Sequence, residues 1–413
     1  MTNLRVSVIL LSLLGTALDG GNIAAAQRTR SESKAEAPKS ASTNSEKSLG
    51  IVAIIQPRSD AVTPPYFFPD IPAPGLQGAR LGIIDNNTTG RFVGQKHYLK
   101  ELLLDPTTDA VAVFKQALTE GYRHILLKLP PELIPQLAAL PEAQSALLYD
   151  IGTDADRLRG EDCAANVLHL LPSRAMRADA LAQYLTKKRW QNLFLAIGPD
   201  EADRLYAEAF KRSTKKFGLK IVSEKTWQHS FDERRTPESE VPVFTQGADY
   251  DVLIVADEAG NFGDYLSYRT WQPRLVAGTQ GLVPAAWHYT LEHWGAMQLQ
   301  KRFKEQAGYW MTEVDYAGWL AVRAIGEAAT RTKSVEFDPI KAFMLGPEFT
   351  LAGFKGVPLS FRPWDGQLRQ PLLLSGERAL VAVAPIEGFL HPQNELDTLG
   401  YDRPESLCRP KRP

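Results

Sequence analysis

The sequence predicts an α/β protein built as two Rossmann-like lobes, each a mostly parallel sheet with helices on both faces. Short apolar runs alternate with amphipathic stretches from Gly50 onward, and the alternation starts again near Ala178. With 413 residues, 44% of them hydrophobic, the chain can also fill two separate cores.

IVAIIQP (51–57) reads as a buried strand and GLQGARLGIIDNN (75–87) as a helix. DAVAVFKQALTEG (109–121) sets Val111, Phe114 and Leu118 at helical spacing and stops at Gly121, a usual helix-terminating residue. HILLKLP (124–130) and SALLYDIG (145–152) are strands again. In the second half ADALAQYLTKKRW (178–190) is a helix, NLFLAIGP (192–199) a strand, and DEADRLYAEAFKRSTKKFG (200–218) a long helix opened by acids and closed by glycine. LKIVSEKTW, DYDVLIVAD (249–257) and PRLVAGTQGL (273–282) supply further strands. DYAGWLAVRAIGEAAT (315–330) is an amphipathic helix whose apolar face is Trp319, Val322, Ile325 and Ala329. VPLSFRP, QPLLLSG and ALVAVAPIEG form a β-rich end around the turn sequence Trp364-Asp365-Gly366.

Before the first strand the chain has a different character. MTNLRVSVILLSLLGTALDGGNIAAAQ has an early Arg5, an apolar run from Val6 and a small-residue end at Ala24-Ala25-Ala26, the build of a secretory signal over 1–26. Residues 27–49 are Ser, Lys, Glu and Ala without an aliphatic stripe and read as a disordered tether. Export makes a disulfide between Cys163 and Cys408 permissible; two separate thiols is the other reading. A formal net charge of -1 gives no electrostatic reason for a nucleic-acid or anionic-membrane partner.

Catalytic signatures are missing. There is no G-x-G-x-x-G after the first strand, no G-x-x-x-x-G-K-[ST] and no G-x-S-x-G elbow. His288 and His293, five apart, would lie about 140° apart on a helix and could not share a metal ion. No nucleophile–base set can be assembled, so the chain reads as a non-enzyme without cofactor.

In open α/β sheets, ligands sit at the carboxyl ends of strands. Those ends supply the candidate contacts: Lys128, Thr153 and Asp154 from the first lobe, and Asp200, Asp257, Glu258, Thr279 and Gln280 from the second. Tyr66 joins them from SDAVTPPYFFPDIPAPG (59–75), where prolines box three aromatic rings. The acids at 150, 154 and 156 admit three readings: Asp154 capping a helix begun at Ala155, contact with a small molecule, or oxygen ligation of a hard cation. Because the candidates hold more acids than bases, a cationic, hydroxylated or metal-complexed solute is the expected cargo.

The order of elements from Gly50 to Gly400 resembles the type I periplasmic binding proteins, in particular the branched-chain amino-acid receptors of ABC importers. LRGEDCAANVLHLLPSRAMRADALAQYLTKKRWQNLFLAIGPDEADRLYAEAFKRSTKKFG carries most of the resemblance. LGIIDNNTTGRFVGQ, RPWDGQLRQPLLL and GFLHPQNELDTLGYDRPESLC are similar to a narrower group encoded with pyrroloquinoline-quinone (PQQ)-dependent alcohol dehydrogenase systems, some of which use lanthanides. The resemblance implies a periplasmic monomer that closes about a three-segment hinge near 170–173, 281–284 and 346–349 and delivers a solute to a permease and its ATPase. Lobe 1 would then be 50–171 plus 284–346, lobe 2 172–283 plus 347–400, and 401–413 a tail. The alternative is a non-transporting sensing or docking module for a periplasmic dehydrogenase or sensor. One departure bears on specificity. Where amino-acid receptors carry Gly/Ser-rich and Ser-Ala-Thr loops, this chain has LKLPPEL and DIGTDAD, so Pro130 and Pro131 offer no N–H donors and Asp154 would repel a carboxylate.

Overall fold

A first parallel sheet is assembled from β1 (Lys47–Ile55), β2 (Gln95–Leu103), β3 (His124–Lys128), β4 (Leu147–Asp150) and β5 (Val167–His169), in the order β2-β1-β3-β4-β5. The computed structural model describes residues 47–57, 71–228 and 237–409. The expected signal segment, the tether as far as residue 46, and Tyr66 lie outside the described residues. β1 begins at Lys47, so the last three residues expected in the tether are strand instead, paired with Gln95–His97 of β2.

Helices α1 (Leu76–Val93), α2 (Ala110–Thr119) and α3 (Leu133–Ala138) connect these strands. Asp109 starts α2 by accepting the Val111 and Ala112 N–H groups. β1, β3 and β4 are buried on both faces, which is why they are continuous aliphatic runs rather than alternating ones.

The chain leaves β5 through 170–173 and enters α4 (Arg174–Lys188). The second parallel sheet follows: β6 (Asn192–Ile197), α5 (Glu201–Phe217), β7 (Lys220–Thr226), α6 (Pro237–Phe244), β8 (Val252–Ala256) and β9 (Leu275–Gly278), ordered β7-β6-β8-β9. α5 opens with a capping box between Asp200 and Asp203 and ends at Gly218, whose φ of 70° is left-handed. Each sheet has its own core. Leu193, Leu195, Val252 and Ile254 pack with α4 and α5, apart from the cluster around Ile51, Tyr149 and Leu168.

After β10 (Val283–Ala285) the chain returns to the first core through α7 (Ala296–Ala307), α8 (Glu313–Thr332) and α9 (Phe337–Met344). α8 packs tightly on α1: a Cβ on Gly78 would stand 1.7 Å from the Asp315 carbonyl oxygen, so only glycine fits. The last strands are β11 (Leu351–Ala352), β12 (Pro358–Phe361), β13 (Leu368–Arg369), β14 (Leu372–Ser375) and β15 (Leu380–Ala384), in two small antiparallel sheets, β11-β12-β13 and β10-β14-β15. Of the stretch 347–400 expected in lobe 2, Phe349, Leu351, Leu359, Phe361 and Leu368 belong to the first core. Leu372, Leu374, Ala384 and Leu399 belong to the second. Gln367 bridges His169, so β13 runs on from the open edge of β5.

Cys163 and Cys408 are disulfide-bonded. The segment leading to Cys408 lies against α4 and α5: the buried Asp179 accepts the Gly400 N–H at 2.9 Å, and Arg212 donates to the Gly400 carbonyl at 2.7 Å. The bridge therefore ties a loop after β4 to a segment seated on helices of the second half.

Candidate functional site

Parallel pairing sets the carboxyl ends of β1, β3 and β4 side by side, because Gln56 N–H bonds the Lys128 carbonyl and Ile151 N–H bonds that of Leu127. A cavity of ≈ 390 Å³ opens there, between Pro57, Leu129, Pro130 and Pro131 on the apolar side and Lys128, Thr153, Asp154 and Arg174 on the polar side. Arg174 is the first residue of α4, so the second half contributes to the wall.

Of the expected contacts, Lys128, Thr153 and Asp154 share this cavity. Lys128 Nζ donates to the Gln56 carbonyl at 3.0 Å. The Thr153 hydroxyl donates to Asp150 Oδ2 at 2.8 Å, which commits it to the loop. Asp154 does not cap a helix. The turn after it is a short 3-10 helix over Asp156–Arg159 with no side-chain cap, and Asp154 instead pairs with Arg174 at 3.1 Å. Asp156 serves α4, accepting the Ala175 N–H at 3.1 Å.

Arg174 also grips Glu258 through two bonds, Nε to Oε1 at 2.8 Å and Nη2 to Oε2 at 2.5 Å. One guanidinium thus joins an acid after β4 to an acid after β8. Burial works against its charge, but Asp154 and then Glu258 hold it firmly protonated. Among the described residues, the excess of acid expected from the sequence does not line the cavity. The charged residues that line it are Lys128, Arg174 and Asp154, and Glu258, behind Arg174, brings the set to charge balance.

The other second-half candidates are engaged with one another and with the loop after β8. Asp257 is fully buried and accepts the N–H groups of Asn261, Phe262 and Gly263 at 2.9, 2.9 and 2.6 Å. Thr279 Oγ1 accepts the Asp257 N–H, and Gln280 Nε2 donates to the Asp257 carbonyl, both at 2.9 Å. Asp200 caps α5 and accepts from Asn261 Nδ2 at 2.9 Å. Asp257 thus shapes the loop after β8, and Asp200, Thr279 and Gln280 bond to it from the ends of β6 and β9. His288 and His293 lie in the turns before α7, not on a helix. Among the described residues no group of three His, Cys, Asp or Glu is placed to hold a metal.

Sequence reasoning missed Arg174. Its signal was available: a basic residue immediately after a Pro-Ser crossover, followed by Arg177 one turn later, which donates to Glu313 at 3.1 Å.

Glu258 carries a pH dependence. Burial, and then the negative charge of Asp154, push its carboxyl up from 4.5 to about 6 despite Arg174. The folded state therefore holds this proton more tightly than the unfolded chain. The associated stability is present below about pH 4.5 and lost as pH rises through about 6. Glu258→Gln is expected to remove this loss of stability between about pH 4.5 and pH 6, read by urea denaturation at the two pH values.

No family model and no curated protein matches the sequence. Solved structures do. A periplasmic binding protein from Burkholderia mallei is 14% identical, with TM-score 0.62, over 89% of this chain and all of that one. A leucine-, isoleucine-, valine-, threonine- and alanine-binding protein from Brucella ovis, in its closed conformation, is 15% identical with the same TM-score and coverage. A solute-binding protein of an ABC transporter from R. palustris, in complex with benzoate, is 12% identical with TM-score 0.60, over 88% of this chain and 99% of its own. The fold of this chain is the one these transport receptors share, that of the type I periplasmic binding proteins.

Proposed function

We propose that the protein is an exported, periplasmic solute-binding protein of an ABC importer, not an enzyme, which closes on a small solute and presents it to a permease. The observation that carries this reading is the cavity at the strand ends, walled by one half's loops and by Arg174 from the other. Its volume lies at the small end of the range for small-molecule sites. The balanced charges favour an uncharged or zwitterionic solute over a free cation, and the pairing of Asp154 with Arg174 removes the repulsion that would have kept a carboxylate out. The proline wall supplies no N–H donors, so a plain α-amino acid lacks its usual carboxylate grip. The resemblance of the C-terminal motifs extends the proposal to service of PQQ-dependent alcohol oxidation.

A thermal-shift panel of short alcohols, aldehydes, their acids, amino acids, calcium, lanthanides and the quinone cofactor tests it. A solute at about 100 times its dissociation constant should add roughly 2.7 kcal/mol. The shift should vanish in Asp154→Asn and Arg174→Ala and persist in Asp257→Asn, whose carboxylate is internal to its loop. No response to any solute, or a response equal in all three variants, overturns the cleft assignment.

A further inference from the structure

A second cavity, sharing no residue with the first, lies on the outer side of α7. It has a volume of ≈ 430 Å³ and is lined by Tyr289, Leu291, Met297, Gln300, Lys304 and Trp310, with Glu292, Lys301 and Glu305 at its margin. Helical spacing puts 297, 300, 301 and 304 on one face of α7. Leu291 is fully buried, whereas Tyr289, Met297 and Trp310 are 39%, 57% and 46% exposed.

Its aromatic wall is already fixed. The Tyr289 hydroxyl donates to the Glu377 carbonyl, and the Tyr289 and Trp310 rings lie near-parallel with centroids 5.8 Å apart. Lys304 Nζ sits 4.0 Å from the Trp310 centroid. Large rings held in place offer stacking area with little further ordering to be done on binding.

The second observation is Gln300. It is 2% exposed, lines the cavity, and neither its amide nitrogen nor its amide oxygen has a hydrogen-bond partner. A buried amide with both ends unmet is costly to keep, and pairing from a bound molecule would satisfy it. A primary amide presents a donor beside an acceptor, so its best complement is another carboxamide or lactam edge. The rim has two lysines and two glutamates, Lys301 and Glu305 being paired at 3.9 Å, so it calls for no net charge.

We propose that this cavity is a second binding site, for a small, flat, uncharged aromatic molecule bearing a carboxamide or lactam edge. Its ring stacks on the Tyr289–Trp310 wall, and its amide pairs with Gln300.

Benzamide is the probe, followed by ligand-observed NMR titration of the full chain. Expected is saturable binding with a dissociation constant of about 1–10 mM, in keeping with so small a fragment. Benzoate, which adds a charge and removes the donor, and cyclohexanecarboxamide, which removes the ring face, should each bind at least about tenfold more weakly. Gln300→Leu should abolish binding while holding or raising the melting temperature, since it removes unmet polar atoms without opening a hole. Trp310→Ala, at an exposed position, should weaken binding at least about tenfold with the fold intact. Asp154→Asn should leave the affinity for benzamide as it is in wild type, which separates this site from the cavity at the strand ends. Absence of saturable binding, equal affinity for benzamide and benzoate, or loss in Asp154→Asn but not in Gln300→Leu overturns the proposal.

Discussion

Arg159→Ala is expected to lower the unfolding free energy by about 3–5 kcal/mol, measured by urea denaturation with an unchanged denaturant slope. Arg159 is 4% exposed and its guanidinium fills four acceptors: the carbonyls of Ala155, Thr153 and Leu171 at 3.0, 3.1 and 3.0 Å, and Gln367 Oε1 at 2.9 Å. It also stands 3.9 Å from the fully buried Asp150. Removing it takes the guanidinium donor from the buried Thr153 carbonyl and from Gln367 Oε1, and strips Asp150 of its nearby guanidinium. His169 remains as a hydrogen-bond partner, its Nδ1 2.9 Å from Asp150 Oδ2. Burial and then Arg159 push His169 down, whereas burial pushes Asp150 up and is outweighed by His169 and Arg159, so its carboxyl lies below its ordinary range. Gln367 extends the network by donating to the Leu171 carbonyl at 3.0 Å. Arg159 therefore organises the crossover that aims Arg174 at Asp154. Arg159→Lys keeps the charge but not the planar fork and should recover only part of the loss. A loss below about 1 kcal/mol would mean that water replaces these bonds without cost.

The double variant Cys163→Ser, Cys408→Ser is expected to lose about 2–5 kcal/mol in the same measurement. The bridge closes a loop across a sequence separation of 245, which removes much entropy from the unfolded chain. The folded state should change little, because the segment before Cys408 keeps its own anchors. Lys216 donates to the Thr398 carbonyl at 3.1 Å, and Arg362 to that of Leu399 at 2.7 Å. A loss confined to the last few residues by hydrogen exchange, with global stability intact, would contradict this reading.

The fold was legible wherever burial is two-sided or amphipathic. β1, β3, β6 and β8 are uninterrupted aliphatic runs because helices cover both faces of their sheets. α5 and α8 announce themselves through caps and apolar stripes. β2 escaped notice because QKHYLKELL is an edge strand, polar along its outer face and paired on one side alone.

The site was half legible, for a related reason. The strand-end rule located Lys128, Thr153 and Asp154, since position along a parallel strand is a local property. The same rule misdirected Asp257, Thr279 and Gln280 toward the cleft. Their polar atoms bond to one another and to backbone groups of β8 and the loop after it, and which way a loop folds is not written in its composition. Asp154 and Glu258 looked like a surplus of negative charge because their shared partner is distant in sequence from each. Only the tertiary crossing brings Arg174 to both.

As a receptor the protein holds one solute against both halves at once. Hydrogen exchange on the protein, with and without the solute that stabilises it, measures this directly. Amides of 152–155 in the first half and of 174–177 and 258–261 in the second should slow together, with a common midpoint in solute concentration. Slowing restricted to one half, or centred away from these loops, would show that the cavity at the strand ends is not where the cargo is held.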